Sequence, residues 1–168
     1  MTCPNGNGTG EFVIALDKIL KVEARLDEAG YMTRDKAAEY MATVTDAWSD
    51  IQKIVVRLRS EHNKAKRATK EREAVVMLDE CEGILKEKGL PSTSDYRKAV
   101  VQQDKQYQVC QDREAALYAA MELMKGKMEH FYESYTSVKK LLGDNQLPSS
   151  GIRDRGNQPT SGFGRPSY

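Results

Sequence analysis

The sequence is poor in the residues that build β-rich, disulfide-braced or metal-centred proteins. Five prolines, three phenylalanines and one tryptophan in 168 residues supply few strand-favouring aromatics and few turn formers, which argues against a sandwich or barrel. Cys3, Cys81 and Cys110 are odd in number, far apart and without a Cys-x-x-Cys pair, and only His62 and His130 accompany them. Neither a disulfide framework nor a structural zinc site is expected from that set, and a reducing intracellular compartment is. No run approaches the roughly 20 apolar residues that cross a bilayer. The opening MTCPNGNGTGEF has neither the basic leader nor the apolar centre of a signal peptide. A cytoplasmic location with no membrane partner is therefore expected.

Catalytic chemistry is equally thin. The early Gly-Asn-Gly-Thr-Gly stretch lacks the lysine and the preceding strand of a phosphate-binding loop. The acid pairs Asp79/Glu80 and Asp112/Glu114 sit in charged helical sequence, and His62, beside Glu61, has no nucleophile at a telling spacing. The chain reads as a non-enzyme without a cofactor. Its net charge of +1 removes any global attraction to polyanions, so an electrostatic function must come from local segregation of charge.

What the sequence has in abundance is helical periodicity. Residues 1–10 carry few core-forming side chains and read as a flexible arm. Residues 11–142 form the helical domain. From Phe12 to about Ala29 the positions Val13, Leu16, Ile19, Leu20, Val22 and Leu26 recur at helical spacing, with Gly30 as a stop. Thr33 is placed to cap a second helix with Asp35 in its first turn. There Ala37, Met41, Val44, Trp48, Ile51, Val55 and Leu58 alternate steps of four and three, the signature of packing along another helix. The stripe fades between Arg59 and Glu73 and resumes near Val75 and Val76 on a displaced face. Both one long helix and two meeting helices fit residues 33–88, and the run of Ala, Lys, Arg and Glu without Gly or Pro favours continuity.

Gly89-Leu90-Pro91 ends this region, and Ser92, Thr93 or Ser94 caps the next helix. Its repeat runs through Cys110, Leu117, Met121, Met124, Met128, Phe131, Tyr135, Val138 and Leu142. A helix from Asp95 to Leu142 would extend about 70 Å, which suits a helical hairpin or an oligomer better than a compact globule. The expected fold is all-α: an elongated hairpin or bundle of coiled-coil-like helices that self-associates. Trp48, Ile51, Val55, Leu58, Leu117, Met121, Met124, Met128, Phe131, Tyr135, Val138 and Leu142 are its expected packing residues. Residues 143–168, rich in Gly, Ser, Pro and Asn, read as a disordered tail able to act as a peptide arm.

Charge is segregated in one place. Lys53, Arg57, Arg59, Lys64, Lys66, Arg67, Lys70 and Arg72 face only Glu61 and Glu71 between Ile51 and Arg72. Arg57, Arg59, Lys64, Lys66, Arg67, Lys70 and Arg72 are the candidate phosphate-binding residues, through charge-assisted bonds that carry no base information. The same pattern also fits a solvated helix face. Tyr96 and Tyr118, outside the main stripe, are candidate base-stacking residues.

The order of three features resembles the recombination mediators of tailed phages, the UvsY-like group. These are the Trp-bearing AWSDIQKIVVRLR, the basic NKAKRATKER, and a long helix opening SDYRKAVVQQDKQYQ, which together cover about residues 35–142. The resemblance implies a ring-like homo-oligomer in the host cytoplasm that binds single-stranded DNA, meets a single-strand-binding protein and helps load a RecA-like recombinase. Its Lys-x-Arg contact maps loosely onto Lys64, Lys66 and Arg67, where the spacing departs from the family pattern. A helical adaptor, inhibitor or structural protein acting through protein contacts is the alternative from another class.

Overall fold

A computed structural model describes residues 1–8, 10–26 and 33–144. Its elements are β1 (Thr2–Pro4), β2 (Glu11–Val13), α1 (Asp17–Glu23), α2 (Arg34–Val75), a π-helical turn (Val76–Glu80), α3 (Cys81–Glu87), α4 (Ser94–Gln103) and α5 (Lys105–Asp144). The architecture is all-α and elongated. Gly30 and residues 145–168, expected as a helix stop and a disordered tail, lie outside the described residues.

α2 and α5 run antiparallel as the two long arms of a hairpin, and the alternating stripes meet along the seam. Ile51, Leu58, Leu117, Met124 and Phe131 are fully buried there, with Val44 and Val138 nearer the open end. Each such side chain contributes about 1.5–3 kcal/mol by leaving water. Trp48, Met128, Tyr135 and Leu142 pack against this core while staying partly exposed. A polar bond crosses the seam in the interior, where Tyr40 Oη and Ser134 Oγ lie 2.6 Å apart.

Residues 33–88 form one rod with a fault in it. Cys81 N–H donates to Val76 O, five residues back, so the turn holds one residue more than an α-helical turn. That extra residue explains the displaced stripe. Before the fault the buried positions face α5; after it Val76, Cys81 and Leu85 face Val100 and Val101 of α4 in a second, smaller core. Leu78, within the π-helical turn, is rotated out to 77% exposure. Gly89, at φ +64°, turns the chain after α3, and Thr93 caps α4 by accepting from Tyr96 N–H at 3.5 Å. Thr33 takes the extended backbone of a cap, but its side chain accepts no capping bond.

Two expectations need correction. The third helix is not continuous from Asp95: Asp104, with ψ 119°, separates α4 from α5. Its carboxylate accepts from Tyr107 N–H at 2.7 Å, capping α5 in a way that a helix interior would not need. The N-terminal segment is not a loose arm, and Phe12 does not open a helix. Cys3 pairs with Phe12 in an antiparallel register, and both are buried against the long helices. Gly8 and Gly10 supply the positive φ of the connecting turn. The terminal amine donates to Ile14 O at 3.0 Å, and Gly6 N–H donates to Glu61 Oε2 at 2.8 Å. Gly6 also sits so close to α2 that a Cβ there would overlap Glu61 O and lie 2.7 Å from Lys64 Cβ.

α1 and the β-hairpin occupy one flank of the α2–α5 seam. Lys18 pairs with Asp50 of α2 at 2.9 Å, Lys127 of α5 donates to Glu23 at 2.6 Å, and Arg57 lies 4.3 Å over the Phe12 ring. Among the described residues the opposite flank is left uncovered. Among the described residues no helix is long and apolar enough to cross a membrane.

Candidate nucleic-acid interface on the open flank

The basic segment of the sequence becomes, on α2, three different environments. Arg57 and Lys64 turn toward the flank that carries the β-hairpin. Arg57 covers Phe12, and Lys64 is held 2.7 Å from Glu61 Oε1. Glu61 is itself committed twice, and its carboxyl is held below the usual carboxylate range by the Lys64 bond first and the Gly6 N–H second. These cations are occupied in positioning the N-terminal hairpin.

Arg72 is withdrawn further. Its guanidinium reaches Asp104 from Nε at 2.9 Å and from Nη2 at 2.7 Å, and Glu80 through two more bonds of 2.8 and 3.0 Å. Only 19% of its side chain is exposed. A guanidinium forked between two carboxylates has no donor face left for a phosphate. The Arg72 bonds, reinforced by Tyr107 N–H, hold the Asp104 carboxyl down at about 2 despite partial desolvation. Arg72 therefore clamps α2, the π-helical turn and the α4–α5 junction together.

Arg59, Lys66, Arg67 and Lys70 remain. All four are exposed, and none has an acidic partner or hydrogen bond among the described residues. Spacings of seven and four place Arg59, Lys66 and Lys70 in one row over about 16 Å of helix, and Arg67 lies on the outermost face. The row borders the open flank. There Lys66 and Lys70 stand at the lip of a groove of about 470 Å³ between α2 and α5, with Thr69, Tyr107, Gln111 and Tyr118 in its walls.

Tyr118 is 52% exposed, and its ring lies 5.7 Å from that of His62 at an interplanar angle of 47°. His62 Nε2 is 4.0 Å from Glu114 Oε1. The groove thus places an aromatic face and hydrogen-bonding side chains beside two unpaired ammonium groups, with Glu73 and Glu114 along the same walls. Tyr96, at the start of α4, does not line it. His62, Gln111 and Tyr107 are groove residues that the sequence reading did not select. The signal for His62 was its place on the α2 stripe one turn beyond Leu58; that for Gln111 was its one-turn spacing from Tyr107 and Ala115.

Further along the same flank the character changes. Val44, Trp48, Phe131, Tyr132 and Tyr135 line an almost wholly apolar recess of about 290 Å³, which continues past Met128 to Glu129 and Glu133. Comparison with protein-family models, curated proteins and solved structures returns no match for this chain.

Proposed function

We propose that this chain is a non-enzymatic protein that grips single-stranded nucleic acid by its phosphates along the open flank of α2. The observation that carries the reading is the row Arg59, Lys66 and Lys70, joined by Arg67. Four exposed cations without acidic partners among the described residues stand beside a groove that offers Tyr118. Cations that are already paired gain little from a phosphate, whereas unpaired ones release counterions when one binds. Tyr118 favours a single strand over a duplex, because only unstacked bases offer a face to an aromatic ring.

Binding would be insensitive to sequence and sensitive to salt. The resemblance of residues 35–142 to the UvsY-like mediators gives the grip a purpose: holding a strand in a homo-oligomer, beside a single-strand-binding protein, for a RecA-like recombinase to load. Several copies around an axis would sum their cationic rows into one field. The test is fluorescence anisotropy with labelled single- and double-stranded DNA across a salt series. Single-strand preference with affinity falling steeply as salt rises supports the reading; no binding at low salt overturns it.

A second reading, a helical adaptor, is favoured by the apolar recess at Trp48. It is distinguished by capture of a protein partner without any affinity for DNA.

A further inference from the structure

The recess around Trp48 has the features of a seat for an extended peptide rather than of a solvated helix face. Its walls are nearly all apolar, although Tyr132, at 61% exposure, opens it to solvent on one side. Trp48 forms part of the wall, which offers an aromatic face to an apolar side chain. The far end of the recess carries Glu129 and Glu133, both exposed and without a cation among the described residues. An occupant therefore brings an apolar or aromatic side chain and positive charge.

We infer that the occupant is the C-terminal segment of this same chain, residues 152–168, anchored by Phe163. That segment carries Arg153, Arg155 and Arg165 against Asp154, and it sets Phe163 between two glycines that allow close backbone approach. Geometry permits the return. α5 ends at Asp144 on the same end of the hairpin as the recess, and Trp48 lies about 16 residues of helix, roughly 24 Å, back along the arm. The roughly 19 residues from Asp144 to Phe163 reach as far as about 60 Å when extended. Docked this way, the segment would close the apolar half of the open flank and leave the cationic row uncovered.

Trp48 is the sole tryptophan, so its emission reports the recess directly. In the full chain, F163A is expected to shift Trp48 emission to the red and raise its quenching by acrylamide, with thermal melting unchanged. E129Q/E133Q is expected to do the same to a smaller degree and to make the signal less sensitive to salt. Two outcomes overturn the inference. One is Trp48 emission and quenching that F163A leaves untouched. The other is shielding that varies with protein concentration and not with Phe163, which would assign the recess to a second copy.

Discussion

Neutralising Lys66 and Lys70 together is the most informative perturbation of the cationic row, because its consequence can be worked out as a slope rather than as a mere loss. Each phosphate contact on a single strand contributes about 0.7 to the dependence of log affinity on log salt, so four free cations give a slope near −2.8 per chain. Between 50 and 200 mM salt that corresponds to a loss of about 50-fold. K66Q/K70Q leaves Arg59 and Arg67, a slope near −1.4 and a loss of about 7-fold over the same interval. Both lysines are exposed and bonded to nothing among the described residues, so helix content should not change. R72Q is the contrasting variant. Its guanidinium is spent on Asp104 and Glu80, so it should lower stability and leave the slope alone. Anisotropy titrations with a labelled oligothymidylate at four salt concentrations measure all three. A parent slope in K66Q/K70Q, or an equal flattening in R72Q, would refute the row as the phosphate-binding surface.

Other expectations concern the scaffold. Asp104 titrates at about 2 in the fold and near 3.9 when unfolded, so its contribution is complete above about pH 4 and is lost as pH falls toward 2. D104N should therefore cost on the order of 1–2 kcal/mol at pH 6, discounting for the 18% of the side chain that water reaches, and urea melts at pH 6 and 2.5 should show most of that difference gone in acid. F131A removes a fully buried ring from the α2–α5 seam and should cost about 3–5 kcal/mol in the same melts. G6A forces the N-terminal hairpin off α2 by overlap with Glu61 and Lys64. The Cys3 thiol, whose pKa burial now raises, should then react faster with a disulfide reagent, with circular dichroism almost unchanged; a protected Cys3 in G6A would contradict the packing described for Gly6.

The sequence revealed those parts of the molecule whose cause is local. The four-three stripe from Ala37 to Leu58 and its counterpart from Leu117 to Leu142 are periodicities of a single helix, and both became the buried seam. The displaced face after Val75 was visible as a phase error, although the π-helical turn behind it was not. The features that escaped are those fixed by distant residues. Asp104 interrupts a stretch with neither Gly nor Pro, and Arg72, 32 residues earlier in the chain, holds the break. The N-terminal strands bury one residue each, Cys3 and Phe12, too few to show any alternation. The same distinction divides the basic segment. Helical spacing aligned Arg59, Lys66 and Lys70, whereas the withdrawal of Arg57, Lys64 and Arg72 depends on Phe12, Glu61, Glu80 and Asp104, whose proximity only the fold creates.

The π-helical turn at Val76–Glu80 is a shim in the long rod: five residues fill the place of four, so Cys81 falls on the same buried face as Val76. Deleting the exposed Leu78 should return the rod to plain α-helical turns and keep Cys81 and Leu85 turned toward Val100 and Val101. The middle of α2 has no surplus residue to give up, and a helix advances about 100° for every residue. A deletion there should swing everything beyond it by that angle, like a gear tooth lost from a train.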